Sequence, residues 1–275
     1  MVDDVDARKA RNQAQRVVLL RFGAAVLAAP AVLLAVLFGA LTRNVLVALL
    51  VLLVVYGGLA FFLWSALRAF DGTFLASLGA APADPHQHAR LHNLAEGLGI
   101  AHGLPKPTLL VLSGPARNIC TVPVAGAEPN QVAIVVTEGL VDVLSRIELE
   151  AILAQQLAHV RNGDTALASF VAGAASLPLL GPVLASRAGG SLDPHLEPLA
   201  DLAAVGMTRY PPGLVSALEK LEGASTAIAG ATPVTAHLWL ADPLVASGAT
   251  PGPNPAEPFI PHPPLADRIA MLREL

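Results

Sequence analysis

Residues 145–164, SRIELEAILAQQLAHVRNGD, contain the pattern that decides the fold. Ser145 is followed three residues later by Glu148, and this pair forms the capping box that begins a helix. Apolar residues recur at helical spacing along the stretch, namely Ile147, Leu149, Ile152, Leu153, Leu157 and Val160. Gly163 favours the left-handed conformation in which helices commonly end. We therefore predict one amphipathic helix that begins after Ser145 and ends at Gly163.

The centre of this helix has the clearest chemical pattern in the chain, QQLAH at residues 155–159. In a His-Glu-x-x-His zinc peptidase, two side chains four residues apart bind the metal, and the intervening glutamate activates water. Gln155 and His159 have this spacing, and Gln156 takes the position of the glutamate. A neutral amide is a poor zinc ligand beside imidazole or carboxylate, and the Gln156 amide cannot act as a general base. These residues predict that hydrolysis by the usual route is lost.

The composition indicates a membrane protein. Of the 275 residues, 54% are apolar and only 14% are charged, and the mean hydropathy is +0.59. The net charge of −4 and the lack of a basic block disfavour nucleic acid as a partner. The single cysteine, Cys120, excludes an intramolecular disulfide.

Two segments, residues 22–41 and 45–67, contain no charged residue. About 20 apolar residues cross the hydrocarbon core of a bilayer, so each segment is long enough to span it. Basic residues flank the pair more often than they occupy its turn, which places both ends in the cytoplasm. We predict a cytosolic flank (1–16), a two-span transmembrane hairpin in contact with membrane lipid (17–70) and a cytoplasmic domain (71–275), in the cell (inner) membrane.

The predicted domain belongs to the α+β class. Short apolar runs at 108–113, 118–124 and 131–137 predict three strands. Helices are expected to begin at Asp84, at Glu197, at Pro212 and after Pro264. The uncharged residues 165–186 are too few for two membrane crossings. We therefore expect them to form an interfacial or re-entrant segment.

Several segments, taken in order, resemble the HtpX-type membrane zinc metallopeptidases, which are relatives of the CAAX prenyl proteases. They are PKPTLLVL (105–112), NICT (118–121), VVTEGLVDVL (135–144), ELEAILAQQLAHVRNGD (148–164), LEPLAD (196–201), AHLWLADPL (236–244) and HPPLADRIAMLREL (262–275). The resemblance covers roughly residues 60–275. It implies a membrane-anchored, gluzincin-like and mainly helical domain with a small sheet, which uses zinc to cleave membrane or prenylated proteins.

In this resemblance, Gln155 replaces the first zinc histidine, Gln156 replaces the catalytic glutamate and His159 keeps the second histidine. Glu197, in LEPLAD, matches the third zinc ligand. Pro198 departs from the family, which continues a helix here. Because proline inside a helix costs about 3 kcal/mol or more, we expect the helix to begin here and Glu197 to be displaced. The resemblance also places Asn118 on the strand that borders the substrate cleft, and His237 and Arg268 near the site.

Three functions remain open from the sequence. One is a pseudoprotease whose cleft binds protein or peptide segments by strand addition beside Asn118. Another is an active zinc-dependent membrane endopeptidase with a rebuilt site, formed by His159, Glu197 and either His195 or His237. The third is a structural subunit of a membrane complex.

Overall fold

A computed structural model of the chain describes residues 2–126, 128, 130–188, 192–245 and 262–275. These residues form a long helical hairpin followed by a mainly helical domain with a small sheet. The structure thus confirms the predicted α+β class.

The hairpin consists of α1 (Val2–Thr42) and α2 (Val45–Leu78). Both helices are long and apolar enough to cross a membrane. The turn between them is capped by Asn44, whose side-chain oxygen accepts a hydrogen bond from the Leu46 amide. The polar residues before the first apolar segment belong to α1, so the helix extends beyond the apolar segment toward the domain.

The sheet has four strands in the order β1-β2-β4-β3. They are β1 (Ala81–Pro82), β2 (Thr108–Leu112), β3 (Ile119–Pro123) and β4 (Val132–Thr137). β4 is parallel to β2 and antiparallel to β3, and all of its residues are buried. The three predicted strands are therefore confirmed, whereas β1 is too short to leave an alternating pattern in the sequence.

The other helices surround this sheet. They are α3 (Ala89–His102), α4 (Glu138–Val143), α5 (Arg146–Asn162), α6 (Asp164–Ala175), α7 (Gly181–Ala188), α8 (Leu196–Thr208), α9 (Pro211–Leu221) and α10 (Leu265–Arg273). The prediction that α3 begins at Asp84 is wrong. The Asp84 carboxylate accepts from the amides of His86 and Gln87 and so caps a turn, and the helix begins only at Ala89.

Helix α5 has the predicted form. The Ser145 hydroxyl accepts from the Glu148 amide, and the Glu148 carboxylate accepts from the Ser145 amide. Gly163 ends the helix with φ 75°. Leu149, Ile152, Leu153 and Leu157 are fully buried in the main core, whereas Ile147, also predicted on the apolar face, is 53% exposed. Because α5 lies at the centre of this core, its side chains are held firmly where they meet α8.

Candidate functional site

The structure brings together the three side chains that the resemblance assigns to zinc. Gln155 and His159 lie one turn apart on α5, and Glu197 approaches them from α8. Gln155 Nε2 is 3.0 Å from His159 Nε2 and 2.8 Å from Glu197 Oε2, and His159 Nε2 is 3.3 Å from Glu197 Oε1. Ligands of a tetrahedral zinc at about 2.0–2.2 Å stand about 3.3 Å apart. The three groups therefore form a triangle of roughly the right size for a metal.

The expected displacement of Glu197 is wrong. Pro198 is the third residue of α8, which begins at Leu196. The first amides of a helix have no partner within that helix, so proline breaks no hydrogen bond at this position. The helix does begin here, as predicted, and Glu197 nevertheless points into the site.

The two glutamines form a directional chain of hydrogen bonds. Thr121 Oγ1 donates to Gln156 Oε1 at 2.7 Å, Gln156 Nε2 donates to Gln155 Oε1 at 2.6 Å, and Gln155 Nε2 donates to Glu197 Oε2 at 2.8 Å. This chain fixes the orientation of both amides, because reversing Gln155 would turn its oxygen toward the carboxylate. The site therefore presents N–H groups where a metalloenzyme presents lone pairs.

Arg268 contacts the same Glu197 oxygen as Gln155 does. Its guanidinium donates to both oxygens of Asp201, at 2.7 and 2.6 Å, and Nη2 lies 3.2 Å from Glu197 Oε2. A further bond, 3.0 Å long, runs from Nη1 to the Leu240 carbonyl. Burial lowers the pKa of Arg268, but the two carboxylates outweigh this effect and raise it. Arg268 was predicted to lie near the site, and the structure places it there. Its contact with Glu197 gives it a positioning role.

His159 lies between two carboxylates. Its Nε2 is 3.3 Å from Glu197 and its Nδ1 is 3.5 Å from Asp164. Burial lowers the pKa of His159, but the carboxylates outweigh it and raise the pKa to about 9. The two contacts of Nε2 exclude each other. In a neutral His159, Nε2 can accept a hydrogen bond from Gln155, whereas in a charged His159, Nε2 donates to Glu197.

Asp164 is a site residue that the sequence reasoning missed. It lies directly after Gly163, and its carboxylate accepts from Arg8 Nε at 2.9 Å and from Asn12 Nδ2 at 2.8 Å. Both partners belong to α1, so the contact joins the end of α5 to the hairpin. An acidic residue directly after the helix-ending glycine, one turn beyond His159, was the signal available in the sequence.

The sheet edge beside Asn118 is not open. The Leu240 amide donates to the Ile119 carbonyl at 2.9 Å, and Trp239 forms an antiparallel bridge with Cys120. Asn118 is fully buried, and its amide donates to the carbonyls of Thr226 and Ala241. In this structure the chain pairs the edge beside Asn118 with its own residues 239–240, so the edge is not available for the predicted strand addition.

The other two predicted site residues, His237 and His195, lie at different distances from the centre of the site. His237 lines a small cavity of about 20 Å³ together with Gln156, His159, Glu197 and Trp239, which is room for about one water. Its Nε2 contacts the Ala168 carbonyl at 3.0 Å, and burial lowers its pKa to about 4. His195 is outside the site, since its side chain is 75% exposed beside Asp193. A rebuilt site with His195 as a ligand is thus not formed.

The residues at this site do not fit zinc. The centre offers two ligands, His159 and Glu197, and the third corner is the Gln155 amide, whose N–H groups point inward. Within the described residues, no group of three or more His, Cys, Asp and Glu side chains is placed to hold a metal. A metal would also compete with Arg268 for Glu197.

Comparisons with known proteins agree with the resemblance. The sequence model of "Peptidase family M48" matches residues 85–275. A "Protease HtpX homolog" from Dictyoglomus turgidum is 31% identical over 68% of this chain and 69% of its own length. Proteins of the same name from Dictyoglomus thermophilum (31% identical; 76% of each chain) and Caldanaerobacter subterraneus (28% identical; 77% of this chain and 80% of the relative) are also similar. No solved structure matches the chain.

Proposed function

This chain belongs to peptidase family M48, as an HtpX-type member, and we propose that it is a pseudoprotease that binds protein segments without cutting them. The observation that carries the proposal is the position of the Gln155 amide. It donates to Glu197 from the corner that a zinc ligand would occupy, 2.8 Å from the carboxylate. The retained Glu197 is thus satisfied by the Gln155 amide N–H, and the charged His159 is paired with Glu197 and Asp164.

Both chemical functions are replaced at this site. Gln155 turns N–H groups toward His159 and Glu197, so it has no lone pair for a metal there. The Gln156 oxygen accepts from Thr121, and an amide does not take a proton from water. General-base catalysis alone contributes about 10²–10⁴-fold. The loss of the base together with the metal accounts for an inactive site.

We further propose that the hairpin of α1 and α2 crosses the cell membrane twice and places the domain on the cytoplasmic side. The distribution of basic residues supports this orientation. A cleft in a domain at the cytoplasmic face of the membrane would be within reach of segments of membrane proteins. Because residues 239–240 pair with β3, an extended protein segment can add to this edge only after these residues move away.

The test is the double reversion Gln155→His with Gln156→Glu in the full-length, detergent-purified chain. We expect the unmodified protein to contain no stoichiometric zinc and to leave an unfolded membrane-protein substrate intact. The double variant is expected to bind one zinc per chain and to cleave that substrate, because the spacing of the three corners is already suitable. Metal content by mass spectrometry and gel-based cleavage assays measure both effects.

Two controls make this test specific. Gln156→Glu alone restores the base but not the ligand, so it should remain inactive. Adding His159→Ala to the double variant should remove the zinc again. Stoichiometric zinc in the unmodified protein that disappears in His159→Ala would contradict the proposal.

A further inference from the structure

The hairpin formed by α6 and α7 has an unusual apolar tip. Residues 165–186 contain no charged side chain. At the turn between the helices, Leu179 is 95% exposed and has a left-handed backbone with φ 63°. Val183, at the start of α7, is also exposed. Water-facing turns are normally polar, and exposed apolar groups next to one another mark interaction surfaces.

The contacts along α6 change from polar to apolar toward this tip. At its middle, Ser169 donates a hydrogen bond to Asp71 of α2, and the Arg16 guanidinium lies 5.5 Å from the centre of the Phe170 ring. At its end and in the following turn and helix, Ala174, Leu177 and Leu184 form one buried apolar cluster with Leu27 and Leu63. Helix α6 therefore runs beside α1 in the same direction, from the polar end of the hairpin into its apolar part.

The depth of the tip follows from the positions of these contacts. Arg21 and Arg68 bound the uncharged segments of α1 and α2 on the same side. Leu27 lies six residues beyond Arg21, and Leu63 lies five residues before Arg68. At 1.5 Å per helical residue, the two contacts are about 7.5–9 Å inside the uncharged region. The tip of the α6–α7 hairpin is therefore at about this depth.

We propose that the α6–α7 tip is a re-entrant wedge that inserts into the hydrocarbon of one leaflet and contacts lipid acyl chains. The proposal rests on α1 and α2 crossing the bilayer, which is part of the proposed function. With 12 and 8 residues, α6 and α7 are about 18 and 12 Å long, short of the hydrocarbon thickness of about 30 Å. The wedge therefore enters and leaves on the same side, which keeps Asp164 and His159 at the membrane surface.

The experiment measures the depth of single fluorescent probes in the full-length chain, reconstituted in phosphatidylcholine vesicles. An environment-sensitive dye is attached to Leu179→Cys in a Cys120→Ala background. Quenching by lipids that carry a spin label near the top or near the end of the acyl chain reports depth, and aqueous iodide reports exposure to water. Val54→Cys, near the middle of the uncharged segment 45–67 of α2, and Ile147→Cys, at the start of α5, are the references, because both native side chains are exposed in the protein.

We expect the Leu179 probe to be quenched most by the spin label near the top of the acyl chain and to be protected from iodide. The Val54 probe should be quenched most by the deeper label, and the Ile147 probe by iodide. If Leu179 behaves like Ile147 while Val54 is quenched by lipid, the wedge is overturned and the membrane hairpin stands. If Val54 also escapes lipid quenching, the hairpin and the wedge fail together.

A probe at Leu179 that neither lipid labels nor iodide reach would show that protein covers the tip, for example a second copy of this chain, and would overturn the lipid contact. A second variant tests the apolar tip itself. Leu179→Asp removes almost no packing within the protein, since the side chain is 95% exposed. In this variant, a probe at Val183→Cys should become several-fold more accessible to iodide, because a carboxylate is costly in hydrocarbon. Unchanged accessibility would contradict the wedge.

Discussion

Two clusters of hydrogen bonds on α5 contain similar groups but differ in their surroundings. At the start of the helix, the Glu148 carboxylate binds the Ser145 amide and the Lys220 ammonium, and Lys220 remains 35% exposed. Farther along, the cluster of Gln155, Gln156, His159 and Glu197 is buried, and the Arg268 side chain that balances it is 1% exposed.

The difference in exposure predicts which hydrogen-bond partners are costly to remove. The Glu148 side chain is itself only 8% exposed, so water reaches the cap mainly through the partly exposed Lys220. In the other cluster no side chain, Arg268 included, is more than 11% exposed, so water has little access to any partner. An unpaired polar group there retains its full desolvation cost. The buried cluster keeps its groups paired through the amides of Gln155 and Gln156. We therefore expect changes in the buried cluster to cost more stability than changes at the cap.

The largest effect is expected from Arg268→Met, which leaves Asp201 buried without its ion-pair partner and removes one of the two counter-charges of Glu197. Breaking a buried ion pair by removing one partner costs about 3–5 kcal/mol. Denaturant unfolding of the purified chain measures the change. The matched control is Arg273→Met on the same helix, whose partner Glu219 is 41% exposed and which should cost less than about 1 kcal/mol. Equal effects of the two variants would remove the distinction between the clusters.

An intermediate effect is expected from interrupting the amide chain. Thr121→Val leaves the Gln156 oxygen without its donor, and Gln156→Leu leaves the Thr121 hydroxyl without its acceptor. Each should reduce the free energy of unfolding by about 1–3 kcal/mol. The double variant should cost less than the sum, because both partners of one bond are then absent. Strictly additive costs would argue against a cooperative chain.

The smallest effect is expected at the cap, where Glu148→Gln should cost about 1 kcal/mol near neutral pH. Burial raises the pKa of Glu148, but Lys220, Ser216 and the Ser145 amide outweigh it and lower the pKa to about 2. A depressed pKa means that the carboxylate stabilises the fold above its unfolded pKa of about 4.3. The contribution is lost as the pH falls from there toward 2.

The measurement is the difference in unfolding free energy between the unmodified chain and Glu148→Gln across this acidic range. This difference should shrink as the pH falls. Lys220→Met, which removes the main partner of the carboxylate, should show a similarly weakened pH dependence. A difference that stays constant down to about pH 3 would show that Glu148 is not the titrating group.

Local patterns in the sequence predicted much of this fold. The cap and the terminating glycine of α5 are formed by neighbours in the chain, so Ser145, Glu148 and Gly163 identify them without knowledge of the rest. The same holds for the apolar runs that become β2, β3 and β4. Only the family resemblance predicted that Gln155, His159 and Glu197 share one site. Gln155 and Glu197 are 42 positions apart, and no local rule joins them.

Features that depend on distant contacts were missed. The pairing of β3 with residues 239–240 rests on a single bridge, which leaves no alternating pattern. Asp164 and Thr121 acquire their roles only from Arg8, Asn12 and Gln156. The error at Glu197 had a different source: the helix begins beside Pro198 as predicted, but beginning there does not move the Glu197 side chain away from α5.

The junction between α5 and α6 has a mechanical consequence. Lys9 of α1 packs against Gly163, where a Cβ would lie 3.4 Å from the lysine side chain, and the next residue, Asp164, is bound by Arg8 and Asn12. These contacts fix α1 of the hairpin against the domain at this junction. A bilayer of different thickness that changes the tilt of α1 would therefore rotate the whole domain with it.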